Sequence, residues 1–300
     1  MSLFCQEFIK HRNIYYMQII EAIPLFSLMI ILSLIVIFIL SLFYSMWRSG
    51  RLPSMTPKDF IHSKADNKNI VVCCGDSITH GRIGYDWVES LRKKNKDLSI
   101  VNAGINGDLA WNLLGRLEDI IDCNPDYITI LIGTNDAMGS QTKQLGEDYK
   151  KRKQLPQLPD INWFENNYDS IVSRLKKHTN AKIGIISLPW IGEQAESDIM
   201  KIVNNYNQII INLTKKYDLT LIPLFDSLSD IIKNSESEPY RTDGARYRRI
   251  IRANFLYYVF GISWENIGKK YGLKSMCDHI HLNEPAGKIL EELVCDFIRL

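Results

Sequence analysis

A chain of 300 residues, 46% hydrophobic and 23% charged, has room for one globular domain of roughly 200–250 residues and a further segment. Its formal net charge of +2 gives no basic surplus for a polyanion, so no nucleic-acid partner is expected. Six cysteines without a CxxC or other metal-like spacing point to neither a metal site nor an obligatory disulfide framework, and they leave the redox compartment open.

At the amino end we expect a tail over residues 1–21 and a transmembrane anchor over Ala22–Trp47. No residue from Ala22 to Trp47 carries a charge, and Leu25–Phe43 is almost wholly Leu, Ile, Val, Phe and Met. As a helix the uncharged span reaches about 39 Å, enough for a ~30 Å hydrocarbon core with some tilt. A cleaved signal peptide is the rival reading, but its apolar region is usually shorter and ends at a small-residue cleavage site, whereas this run leads into Ser45-Met46-Trp47-Arg48. Lys10 and Arg12 precede the span and Arg48 and Arg51 follow it, so the positive-inside bias selects no side; the reading leans to an extracytoplasmic catalytic domain. Polar sequence with Pro53 and Pro57 then suggests a linker over 48–66, ahead of a catalytic domain over 67–300.

Within that domain, strand-like runs at Ile70–Cys74, Leu98–Asn102, Tyr127–Ile132, Lys182–Ser187 and Leu219–Ile222 alternate with helical patterns. The helices are expected at Tyr85–Lys94, Ala110–Ile121, Trp163–His178, Asp198–Tyr217 and Pro285–Ile298. Such alternation predicts βαβ units, an α/β class and a mainly parallel five-stranded sheet covered on both faces. In such a sheet the carboxyl ends of the strands open into the ligand crevice. The first strand delivers Gly75-Asp76-Ser77, the second Asn102-Ala-Gly-Ile-Asn-Gly107-Asp108, and the third Gly133-Thr-Asn135-Asp136. Asp278-His-Ile-His281 precedes the last helix, whose first turn Pro285 pre-organises.

Together, Gly75-Asp-Ser77-Ile, Gly107, Gly133-Thr-Asn135-Asp and Asp278-x-x-His281 resemble the four blocks of the SGNH (GDSL) hydrolase family, in family order, over roughly residues 66–300. The resemblance implies a flavodoxin-like three-layer sandwich and a serine hydrolase that cleaves carboxylic esters, of lipid or carbohydrate, without cofactor or metal. Chemistry gives the roles a reason. A serine hydroxyl attacks a carbonyl only when a base takes its proton, which His281 can do for Ser77, and a carboxylate on the same loop, Asp278, can hold the imidazole and its tautomer. The family resemblance assigns the oxyanion donors to the backbone N–H groups of Ser77 and Gly107 and the side-chain amide of Asn135; such donors lower the barrier by about 2.7–4 kcal/mol each.

Other readings compete at single positions. Ser77 alone would be read as a helix cap. Asp76 and Asp136 read as hydrogen-bonders that shape loops, Gly104 as a substitute oxyanion glycine, and His80 and His279 as neighbours of the centre without a direct role. The α/β-hydrolase elbow needs a glycine where Thr79 stands. Acyl transfer or carbohydrate deacetylation would use the same residues; a membrane-tethered, non-catalytic interaction module is the alternative from another class. Gly139–Asp160 reads as an exposed loop. Residues 235–277 read as a helical insertion, with Ile251, Phe255, Tyr258 and Ile262 at helical spacing and a cluster of arginines. It is either a surface helix packing that stripe inward or a lid delivering an acyl chain.

Overall fold

The computed structural model describes residues 3–63, 69–233 and 235–299, with side chains from Phe26 onward. The last positions of the expected linker, 64–66, the expected domain start at 67, and the ends of the chain, residues 1–2 and 300, lie outside the described residues. The chain divides into two compact units, Met1–Trp47 and Arg48–Leu300.

The first unit is the body of helix α1 (Leu3–Gly50). Within α1, Phe26–Gly50 has a mean hydropathy of 3.0. Its length, about 38 Å at 1.5 Å per residue, is enough to cross a bilayer. A signal sequence near an amino terminus meets the same description.

In the second unit the elements run α2 (Pro57–Ser63), β1 (Ile70–Gly75), α3 (Ser77–His80), α4 (Trp87–Lys94), β2 (Ser99–Gly104), α5 (Ala110–Leu114) and α6 (Leu117–Ile121). There follow β3 (Tyr127–Leu131), α7 (Thr134–Ser140), α8 (Lys143–Lys153), α9 (Ile161–His178), β4 (Lys182–Ile186), α10 (Asp198–Lys216), β5 (Thr220–Ile222) and α11 (Leu224–Ile232). Helices α12 (Ala245–Phe260), α13 (Trp264–Lys269) and α14 (Glu284–Arg299) complete it. The five strands form one parallel sheet in the order β2-β1-β3-β4-β5. Two groups of mutually packed helices cover it, α4 and α11 on α14, and α5, α6 and α10 on α9. Burial on both faces explains why β1 reads as a continuous apolar run rather than an alternating one.

This order reverses direction between β1 and β3, the switch point at which doubly wound sheets open a crevice. Register then aligns the strand tips: Gly75 pairs with Gly104 on one side and with Leu131 on the other. The three polar segments that follow therefore start from one level.

Several elements differ from expectation. Residues 57–63, inside the expected linker, form α2, whose Phe60 is buried in the domain core, and the Met55 carbonyl accepts the Asn102 N–H at 2.9 Å. The expected helix Ala110–Ile121 divides into α5 and α6 at Gly115-Arg116, the arginine being needed elsewhere (below). The expected loop Gly139–Asp160 holds α8, which Thr142 caps by accepting the Leu145 N–H at 3.2 Å. Only Leu145, Gly146 and Tyr149 of α8 are buried, so its lysine-rich sequence hides a one-sided helix. The stripe Ile251, Phe255, Tyr258 and Ile262 is not the inner face of α12: Ile251 is exposed and the others half-buried, while Arg246, Ala253 and Asn254 are buried. Ala253 packs with Trp264, Ile267 and Cys277 in a small satellite core.

Candidate active site

Ser77 follows the tip of β1 as the first residue of α3, so its backbone N–H lacks an intrahelical acceptor. The Asp76 carboxylate caps that short helix by accepting the Ile78 N–H at 3.0 Å. Burial raises the Asp76 carboxyl to about 7, against the stabilising pull of that backbone N–H and the His281 charge. It is the hydrogen-bonder expected from the sequence.

His281 Nε2 lies 2.9 Å from Ser77 Oγ, and His281 Nδ1 lies 2.7 Å from Asp278 Oδ2. Asp278 Oδ1 accepts the Ile280 and His281 backbone N–H groups at 3.1 and 2.9 Å, so the loop itself fixes the carboxylate. Burial pushes the Asp278 carboxyl up, but the His281 charge and these hydrogen bonds outweigh it and hold the carboxyl below its ordinary value. For His281 burial pulls down, yet Asp278 prevails and raises the imidazole above 6.5. The loop is closed at its base by a bridge between Met276 and Leu282 and by Cys277 N–H donating to the His281 carbonyl at 2.9 Å.

Gly107 adopts φ +74°, a left-handed conformation that favours glycine, in the loop beyond β2. Its neighbour Asp108 ties that loop down: the carboxylate receives Arg116 Nε at 3.0 Å and Lys153 Nζ at 2.7 Å. Lys153 also donates to the Asn106 carbonyl at 2.9 Å, and Arg116 reaches the Gly75 and Ala103 carbonyls at 3.1 and 2.8 Å. Gly104 differs from Gly107. Its N–H is taken by Asn102 Oδ1 at 2.9 Å, and a side chain there would strike the His80 backbone.

Asn135, in the first turn of α7, directs Nδ2 to Asp76 Oδ2 at 3.2 Å and to the Asp108 carbonyl at 3.0 Å. Its Oδ1 accepts the Tyr149 hydroxyl at 2.8 Å, which fixes which end of the amide faces the crevice. Both amide hydrogens thus have partners, the bond to Asp76 being the longer of the two. Asp136 points elsewhere, accepting the Ala110 N–H with both oxygens, and burial raises its carboxyl to about 8.

The two neighbouring histidines take no part in the Ser77 series. His80 is buried and pulled down to about 4 by burial and then by Arg82. His279, at φ +78°, sends its Nε2 to Arg249, and burial followed by that guanidinium lowers it to about 4. The sequence singled out Ser77, Gly107, Asn135, Asp278 and His281; Ser77, His281 and Asp278 form one hydrogen-bond series, Asn135 binds Asp76 and the Asp108 carbonyl, and Gly107 lies in the loop beside Asp108. The sequence did not single out Arg116, Lys153 or Tyr149; Lys153 sits in a lysine run, and none of the three carries a motif.

A family model, the GDSL-like Lipase/Acylhydrolase family, matches residues 73–284. The uncharacterized lipoprotein YqeF of Bacillus subtilis (strain 168) is 26% identical over 190 residues, 54% of this chain and 72% of that protein. An acetylxylan esterase of Geobacillus stearothermophilus is 23% identical over 140 residues, 45% of this chain and 58% of that protein. Among solved structures, the Geobacillus stearothermophilus acetylxylan esterase Axe2 superposes with a TM-score of 0.54 at 15% identity, over 78% of this chain and 95% of its own. The acetyl xylan esterase AlAXEase gives 0.51 at 21% identity, over 76% and 98%. At these identities the structural likeness is one of fold.

Proposed function

Because the chain belongs to the GDSL-like lipase/acylhydrolase family, and on that footing is a carboxylic ester hydrolase, we propose that it works through a Ser77 acyl-enzyme. The observation that carries this reading is the unbroken hydrogen-bond series Ser77 Oγ, His281 Nε2, His281 Nδ1, Asp278 Oδ2. As Ser77 Oγ attacks the ester carbonyl, its proton passes to His281 Nε2, and Asp278 stabilises the imidazolium that forms. The Ser77 and Gly107 N–H groups and the Asn135 amide meet the developing oxyanion. Collapse of the tetrahedral intermediate breaks the carbon–oxygen bond to the alcohol, which takes the proton from His281. Water, deprotonated by His281, then releases the acid and restores Ser77.

Ser77, Asn135 and His281 are 7%, 5% and 3% exposed, so a small acyl group suits the opening better than a long chain. The acetylxylan esterase relative supports the same choice, an acetyl ester on a carbohydrate. Ala22–Trp47 serves as the anchor, supported by the apolar helix and by the relative described as a lipoprotein; a carbohydrate ester favours the extracytoplasmic side. A fluorophosphonate probe should label the wild type and spare Ser77→Ala and His281→Ala, and a chain-length series of esters should favour acetyl. A folded wild type that fails to label sinks the reading.

A further inference from the structure

Arg246, at the start of α12, is 3% exposed and has no carboxylate partner among the described residues. Its Nη2 donates to the Tyr247 hydroxyl at 2.8 Å, and its Nη1 reaches the Tyr240 hydroxyl at 3.5 Å and Met138 Sδ at 3.8 Å. The guanidinium carbon lies 4.6 Å from the Tyr247 ring centroid and 5.7 Å from that of Tyr149. Nε has no hydrogen-bond partner. Three other buried charges are opposed by an opposite charge, Asp108 by Arg116 and Lys153, Glu291 by Lys94 and Asp278 by His281, and Glu193 is met by backbone N–H and hydroxyl donors. Burying a cation without an anion is costly, and aromatic faces offset only part of that cost.

The guanidinium also stands beside the reacting centre. Tyr149, under it, donates to Asn135 Oδ1 at 2.8 Å, so one tyrosine separates Arg246 from the amide assigned to the oxyanion. On the other side Tyr240 packs against Gly192, whose N–H donates to the carbonyl of His279, the neighbour of Asp278, at 2.7 Å. We infer that Arg246 is the subsite for an anionic group, a carboxylate or phosphate, carried by the ester substrate. The Tyr240 and Tyr247 hydroxyls accept from Arg246 and keep their own protons for the incoming oxygens, as does the Nε–H. The inference rests on the reading of Ser77 as the ester-cleaving nucleophile, since the subsite orients the substrate against it.

The test uses the full chain in detergent as wild type, Ser77→Ala, Arg246→Met and Arg246→Lys. Inorganic phosphate should raise the melting temperature of wild type and Ser77→Ala saturably, that of Arg246→Lys less, and that of Arg246→Met not at all. Because Ser77→Ala cannot turn over, this readout judges the subsite even where hydrolysis fails. Three esters then locate the anion: 4-nitrophenyl hydrogen succinate carries it on the acyl side, 4-acetoxybenzoate on the leaving side, and 4-nitrophenyl acetate not at all. Arg246→Met should lower kcat/KM on one anionic ester about tenfold or more beyond its effect on the neutral one. Equal losses on all three, or no saturable phosphate effect in the wild type, overturns the subsite. Should Arg246→Met not fold, the wild type alone decides: phosphate must inhibit the anionic ester competitively at concentrations that spare the neutral acetate, and equal inhibition overturns it. Failure of the wild type to hydrolyse any ester counts instead against the nucleophile.

Discussion

His281 is pulled two ways, by burial toward the neutral imidazole and by Asp278 toward the charged one, and Asp278 prevails. A general base must be neutral to take the Ser77 proton, so activity is lost as pH falls through the His281 value. The acid limb of kcat/KM against pH should therefore have its midpoint above 6.5. Asp278→Asn removes the main opposing carboxylate and leaves burial against only the smaller pull of Asp76. Its midpoint should move below that of the wild type, while kcat falls by about 10³-fold or more through loss of the imidazolium partner and of the tautomer. A midpoint that stays in place on substitution would show that Asp278 does not govern the base.

Among the elements, the Asp278 loop depends on a residue far from it in sequence. Glu193, 4% exposed, accepts the Lys274 N–H at 3.0 and 2.9 Å, the Ser275 N–H and hydroxyl both at 2.7 Å, and the Ser235 hydroxyl at 2.6 Å. These bonds pin the segment that leads into Asp278. Glu193→Ala leaves buried backbone donors unsatisfied and should cost about 3 kcal/mol or more. For a domain of this size that lowers the melting temperature by about 6–12 °C, measurable by calorimetry. An unchanged Tm would mean the segment is held by other contacts. Glu193 also marks the limit of what the sequence discloses. The five strands were legible because each is an apolar run bounded by polar turns, and the site because its residues cluster at strand tips. Glu193 and Lys153 carry no such signal, since their partners lie 82 positions away in Ser275 and 45 positions away in Asp108. Helix α8 was illegible for a related reason: few of its side chains turn inward, and a run of lysines masks the period.

For the whole molecule, the domain begins earlier than the linker reading implied. Ser49 O accepts Asn106 Nδ2 at 2.9 Å beside the Gly107 loop, Met55 O holds Asn102 on β2, and Phe60 fills the core. A fragment starting at Arg48 should leave the membrane fraction and keep kcat/KM on a soluble acetyl ester within about twofold of the full chain. A fragment starting at residue 67 loses the Phe60 burial alone at about 1.5–3 kcal/mol and should melt several degrees lower. Equal melting temperatures would return residues 48–66 to the status of a spacer.

The contact between Ser77 Oγ and His281 Nε2 joins positions 204 apart. With Ser77 as the proposed nucleophile and His281 as its proposed base, the serine emerges early in synthesis and stays an ordinary alcohol until the chain has grown past residue 281 and closed that long loop. On that assignment the chain has no assembled hydrolytic centre during its own translation. Its hydrolytic power arrives in a single late step, after the residues of the apolar amino-terminal helix have long left the ribosome.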